Sequence, residues 1–243
     1  MGKRAVIFIS SILVLAIAIP GYLLLNSREN IIADPYSAIS TKAGIIIETV
    51  DLRSFLNSLT TGKGLFGEVS RIEDLSGFVN KLKVITDNLN KPEFKSFFSE
   101  SHALISFFPM KNGIRPLLSM PVPENTSYRH ITNALIASGI KKPEETSFMD
   151  EDILRFRYSD SDTAFISLKS GLMIVTNSLD VIAEAHRSIN EKTDVRSLEG
   201  FSNILLSSGD EADKIYVVFD NLADFIRPSI SPSNSELIKK ISS

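Results

Sequence analysis

The chain has 243 residues, 43% hydrophobic and 23% charged, with a net charge of −3, an ordinary globular balance for one large or two small domains. It contains no cysteine, which excludes disulfides, thiolate nucleophiles, iron–sulfur clusters and cysteine zinc sites. Acidic and basic residues are interspersed with no basic block, which argues against nucleic-acid binding.

Met1-Gly2-Lys3-Arg4 precedes an uncharged run, AVIFISSILVLAIAIPGYLLL, from Ala5 through Leu13 to Leu25. As a helix it spans roughly 30 Å, about the hydrocarbon thickness of a bilayer. A cleaved signal peptide has a shorter apolar core, about 7–15 residues, before small residues at the cleavage site. Ala16-Ile17-Ala18 resembles such a site, but Ile19 and Tyr22 to Leu25 carry the apolar run past it, which favours an uncleaved anchor. Lys3 and Arg4 then stay cytoplasmic by the positive-inside rule. This predicts a single pass through the inner (cytoplasmic) membrane, with the rest of the chain periplasmic or extracellular. Residues 26–41, NSRENIIADPYSAIST, read as a polar tether.

The run AGIIIETV, rich in β-branched residues, predicts a buried strand. Asp51 is placed to cap a helix, LRSFLNSL, with Leu52, Phe55, Leu56 and Leu59 at helical spacing. GKGLFG, residues 62–67, matches the spacing of a dinucleotide loop. Such a loop lies directly between a strand and its helix, whereas here a helix intervenes and no second strand with a terminal acid follows; nucleotide binding is not expected. Leu75, Phe78, Val79, Leu82, Ile85 and Leu89 predict an amphipathic helix, and KPEFKSFFSE a shorter one with Pro92 in its first turn.

HALISFFPMKNGIRPLLSMPVP places two apolar runs around Asn112-Gly113, a favoured hairpin turn. Pro109 and Pro116 cannot donate to a ladder. At least one of these strands is therefore expected to have an unpaired edge there, a candidate for edge-strand interaction. Asn125 or Thr126 is expected to cap a helix whose Tyr128, Ile131, Leu135 and Ile136 face inward and which Gly139 ends. DILRFRYS alternates, with Leu154, Phe156 and Tyr158 opposite Arg155 and Arg157. TAFISL and LMIVT form strands joined by Lys169-Ser170-Gly171. Ser178 is placed to cap a helix carrying Leu179, Ile182, Ala183, His186 and Ile189, and SLEGFSNILLSS reads as another helix. DKIYVVFDNLADFIRPSI reads as strand, cap and helix again. Shifted by 170 positions it sets Ile45 on Ile215, Asp51 on Asn221, Leu52 on Leu222 and Phe55 on Phe225, a possible repeat.

No chemical motif is complete. His102, His130 and His186 show no zinc spacing and read as surface or boundary residues. Asp160-Ser161-Asp162 begins like a calcium loop, but Ala164 and Phe165 occupy positions that need an oxygen ligand and a glycine; a solvated turn fits the acidic stretch from Glu144 to Asp162 better. No G-x-S-x-G elbow occurs. The aromatic residues are mostly Phe, with no Trp and five Tyr, a weak basis for a sugar platform. Asn125-Thr126-Ser127 is a glycosylation sequon, relevant only on a eukaryotic secretory route. No catalytic residue, cofactor or metal ligand is assigned.

The order of elements predicts an α+β fold: a mainly antiparallel sheet with helices on one face, after a transmembrane helix. This reading divides the chain into a cytoplasmic stub and anchor at 1–25, a tether at 26–41, an exported domain at 42–210 and, at 211–243, the start of a candidate second repeat unit, which would make the chain a truncated one. The anchor, the unit AGIIIETVDLRSFLNSL with GLFGEV after it, and the hairpin around Asn112-Gly113 together resemble single-pass envelope proteins of Bacteroidota-type bacteria. The resemblance implies an envelope location and brings no activity or site. The function expected is a non-enzymatic, membrane-anchored domain that engages an envelope protein partner. The alternatives are an envelope hydrolase, marked by a Ser–His pair or two carboxylates in a pocket, and a lipid- or ligand-binding module.

Overall fold

The computed structural model describes residues 33–52, 54, 55, 58, 102–110, 113–122, 126–137, 142–157, 163–209 and 213–221. The apolar run 5–25, the GKGLFG loop, the two amphipathic helices before His102, Asn125, Tyr158, the Asp160–Asp162 turn and the chain beyond Asn221 lie outside those residues. None of the described helices is long and apolar enough to cross a membrane.

Among the described residues, eight strands form one antiparallel sheet: β1 Ile45–Thr49, β2 Ala103–Met110, β3 Gly113–Pro121, β4 Glu144–Phe148, β5 Glu151–Arg157, β6 Thr163–Lys169, β7 Leu172–Thr176 and β8 Lys214–Val217. Their order is β4-β5-β6-β7-β3-β2-β1-β8. Three helices, α1 Tyr128–Ala137, α2 Leu179–Glu191 and α3 Phe201–Ser207, and two 3₁₀ turns, η1 Pro35–Ala38 and η2 Val195–Ser197, accompany the sheet, with further helical residues after Asp51 and at 219–221. The α+β expectation holds.

Local chemistry explains most of the sheet. Met110 faces Gly113 across the predicted hairpin turn. Ser170 and Gly171, both at positive φ, join β6 to β7, the left-handed geometry that a two-residue hairpin needs. A side chain at Gly171 would also meet the Ala33 Cβ at 3.0 Å. Asp51 caps its helix as expected, its carboxylate accepting from the Ser54 N–H at 2.9 Å, with Leu52 and Phe55 buried.

One face of the sheet lies under α2. Ile46, Leu104, Phe108, Leu117, Leu172, Ile174 and Tyr216 pack there against Val181 and Ala185 of α2, Phe201 of α3 and Val195 of η2. Small hydroxyl residues on this face make room for the covering layer: the Ser119 hydroxyl donates to the Pro35 carbonyl at 3.1 Å, seating η1 against β3. The opposite face is buried too, through Ile105, Leu118, Met120, Val175, Ile166 and Leu154. Ile131 and Leu135 of α1 are also buried and belong to none of the packing under α2, so helices on one face describe only part of the cover.

Four expectations are corrected. Residues 34–41 are built into the domain and not a tether: Tyr36, Ala38 and Ile39 are core residues, and the Val195 N–H donates to the Ile39 carbonyl at 2.7 Å. Pro109 and Pro116 do not lie on edge strands, because β2 runs between β1 and β3, and β3 between β2 and β7, but the unpaired flank expected there is present locally. They are tolerated because each lies past the end of a neighbour. β1 begins at Ile45, opposite Phe107, and β7 ends at Thr176, opposite Leu117; the Thr176 hydroxyl then donates to the Pro116 carbonyl at 2.8 Å. The acidic stretch after Pro143 is β4, turning into β5 through Met149 and Asp150 at positive φ. Ser127, not Asn125 or Thr126, precedes the first helical residue of α1 and donates its N–H to His130 Nδ1 at 3.3 Å, while Ile136 is nearly half exposed.

These burials set a measurable contrast. Leu118→Ala, in the centre of the sheet, should destabilise the domain by about 2–5 kcal/mol, whereas Ile136→Ala should cost well under about 1.5 kcal/mol. Urea unfolding of the two variants checks this, and equal losses would contradict the placement of Ile136.

Candidate functional site

Two polar clusters are enclosed by the fold. The first joins α2 to β5 and β6. Ser167, opposite Ile153 on one side and Ile174 on the other, turns its side chain toward α2, and its hydroxyl lies 2.7 Å from His186 Nε2. His186 Nδ1 lies 3.2 Å from Glu151 Oε2, and Glu151 also pairs with Lys169. The histidine read from sequence as a surface or boundary residue is therefore buried and has a partner at each nitrogen.

The connectivity Ser–His–Glu is that of a hydrolytic triad, in which His takes the nucleophile's proton and the carboxylate orients the ring. Its setting is different. Ser167 is fully buried in mid-strand and paired on both sides, and the next N–H, that of Leu168, is taken by the Tyr128 hydroxyl, a setting unlike an oxyanion hole. A neutral imidazole fits the geometry: Nε2 accepts the Ser167 hydroxyl proton, and a proton kept on Nδ1 lies toward the Glu151 carboxylate. Burial lowers the His186 pKa; the nearby Glu151 charge opposes this and Lys169 reinforces it.

The second cluster lies where β1 ends and β2 and β8 begin. Glu48 is buried, with Oε1 2.9 Å from His102 Nε2. The Tyr216 hydroxyl donates to Oε2 at 2.9 Å, and Lys214 Nζ lies 3.3 Å from the same oxygen. Burial alone would raise the carboxyl pKa, but hydrogen bonds from the surrounding side chains and the Lys214 charge outweigh it and hold Glu48 at about 2. The Tyr36 hydroxyl faces Glu48 and Tyr216 without a hydrogen-bond partner; burial, then these two neighbours, raise its pKa. Arg196 lies 5.8 Å above the Tyr36 ring and pairs with Asp194 and Asp34, so η1 and η2 are clamped over the cluster. Among the described residues no group of three or more His, Asp or Glu side chains is arranged to hold a metal ion.

The third feature is the rim of the sheet. β4 is an edge strand whose first four residues are all exposed and include Glu144 and Glu145. β8 is the other edge. Ile215 and Val217 project to one side of it, 46% and 40% exposed, beside Ile47 and Ile45 of β1, which lie opposite them; Phe219, 73% exposed, follows in a helical turn. Pro109 and Pro116, the residues marked from sequence for edge interaction, lie in the interior strands instead.

No protein-family model matches the chain, and no curated protein or solved structure matches it. Any functional reading therefore rests on these three features.

Both clusters carry a pH signature. For Glu48 the folded pKa is depressed, so its stabilisation is present above the ordinary value of 4.5 and is lost as pH falls toward 2. For His186 the folded pKa lies below 6.5, so the unfolded chain takes up the proton first and stability falls as pH drops below 6.5. Denaturation midpoints should show two acid-side losses. His186→Gln should flatten the one nearer neutrality and Glu48→Gln the lower one; an unchanged profile in both variants would contradict the buried contacts. A fluorophosphonate probe should leave Ser167 unlabelled in the folded protein.

Proposed function

We propose that this chain is a non-enzymatic interaction domain of the cell envelope, held to the membrane by the run Ala5–Leu25, and that it contacts an envelope protein through the outer edge of β8. The observation that carries this reading is the contrast between the two sheet edges. An edge strand presents unpaired N–H and C=O groups, and soluble proteins ordinarily blunt it with charge, proline or a bulge. β4 is blunted by Glu144 and Glu145. β8 carries Ile215 and Val217 on its exposed side, with Phe219 just past its end, the kind of apolar surface to which a partner adds a strand. The anchor reading is supported by the length of the uncharged run and by Lys3 and Arg4 before it.

The hydrolase reading has one observation in its favour, the Ser167–His186–Glu151 connection. The burial of Ser167 under α2 weighs against it, since a nucleophile must reach its substrate.

Membrane fractionation and site-specific photo-crosslinking in native cells test the proposal. The chain should sediment with membranes and become soluble when residues 5–25 are deleted. A photo-reactive residue in place of Phe219 should trap one protein, and the same residue in place of Glu145 should trap none. Crosslinking that is absent at both positions, or equal at both, would sink the edge reading.

A further inference from the structure

The point at which the chain enters the sheet decides which end of the domain meets the bilayer. Resting on the anchor reading, we propose that the β4–β5 and β6–β7 turns face the membrane and that Met149 enters the headgroup layer of zwitterionic lipid. Both turns lie at one end of the sheet: Phe148 is opposite Glu151, Ile153 opposite Ser167 and Lys169 opposite Leu172. The turn between β2 and β3 lies at the other end. Ala33 joins the domain at the β6–β7 turn, so close that a side chain at Gly171 would meet its Cβ at 3.0 Å. Residues 26–32 alone separate Ala33 from Leu25. Fully extended, that link spans at most about 28 Å, and its first several ångströms lie among headgroups. β3 by itself is about 30 Å long, at about 3.3 Å per residue. A domain turned over would hold Ala33 a strand's length from the bilayer, farther than the link reaches.

Met149 supplies the second observation. With Asp150 it forms the turn between β4 and β5, at φ 52° and 62°, a geometry that favours Asn, Asp or Gly. A methionine there carries strain, and strain held in a structure points to a use. Its side chain is 63% exposed. The turn lies two strand spacings from the β6–β7 turn, about 10 Å, so Met149 stands on the side of the domain that the link holds to the bilayer. A long apolar side chain at that level is stabilised by leaving water for the interface. Charge selects the lipid. Asp150 and Asp152 are exposed at this end, whereas Lys169 is held by Glu151, and Lys214 and His102 by Glu48. Anionic lipid attracts Lys and Arg, and an acidic end offers it no attraction.

The chain has no cysteine, so a single introduced thiol takes the label. The full-length protein is reconstituted in phosphatidylcholine vesicles with a fluorophore on Ser147→Cys, near Met149, or on Arg157→Cys, at the far end of β5; both sites are exposed. Lipid with a nitroxide on its headgroup should quench the label at 147 and leave the label at 157 bright, and aqueous iodide should do the reverse. Met149→Asn suits the turn and keeps the fold, so it should return the label at 147 to iodide quenching. Adding phosphatidylglycerol should strengthen none of these effects. Nitroxide quenching at 147 that Met149→Asn leaves unchanged overturns the methionine contact. Equal quenching at the two sites overturns the orientation, and quenching at 147 that needs phosphatidylglycerol overturns the choice of lipid. A chain that does not float with the vesicles overturns the anchor reading and this proposal with it.

Discussion

Strand pairing is a demand that must end somewhere, and this fold is arranged around where it ends. Each strand of an open sheet offers hydrogen-bonding groups on two flanks, and the outermost strands keep one flank unmet. β1 would be such a strand had the chain not returned to it from far along the sequence: β8 pairs with it through four opposed residues, from Ile45–Val217 to Glu48–Lys214. That return displaces the open flank outward by one strand and gives it new chemistry. The sheet thus stops at a charged strand on one side and an apolar one on the other.

The buried polar groups are best understood as fasteners for the layers on the α2 face. A leucine at position 119 or 167 would fill the space that η1 and α2 occupy; serine leaves that space and supplies one hydrogen bond in return. A Tyr128 hydroxyl plays a similar part on α1. It accepts from the Leu168 N–H at 3.0 Å and donates to the Asp152 carbonyl, just past the Ile153–Ser167 pair where the β5–β6 ladder stops. Glu48 is the costly member of this set, since a buried carboxylate is tolerated only when its oxygens are met. His102, Tyr216 and Lys214 meet them, and in doing so they tie β2 and β8 to β1. An acid at this position makes β8 dependent on β1 for more than its backbone bonds.

What could be read in the sequence was local. The β-branched run before Val50, Asn112-Gly113, Lys169-Ser170-Gly171 and the apolar period of α2 each announce an element through chemistry confined to a few residues. β4 was missed because a strand exposed along its length has no apolar face to show. Residues 34–41 looked like a tether because their packing needs the Ser119 hydroxyl from 84 positions away and Arg196 from farther still. The prolines misled as to edge strands for a related reason: proline reports that a donor is missing, and only the lengths of the neighbouring strands tell whether a donor was needed. The correspondence of Asp51 with Asn221 likewise hid different work. Asp51 accepts from its own helix, whereas the Asn221 amide donates to the carbonyls of Thr41 and Ala43, binding the end of β8 to the segment before β1.

The Ser167–His186–Glu151 series shows why connectivity alone is a poor guide to chemistry. A histidine buried between a hydroxyl and a carboxylate is the cheapest way to satisfy all three groups in a low-dielectric interior, because each donor finds an acceptor and the ring stays neutral. Catalysis asks for the same bonds with one addition, a path by which substrate reaches the hydroxyl. In this fold α2 closes that path, and lifting it would expose Val181 and Ala185 together with the sheet residues they cover. The groups that give the series the connectivity of a triad also hold in place the helix that covers it.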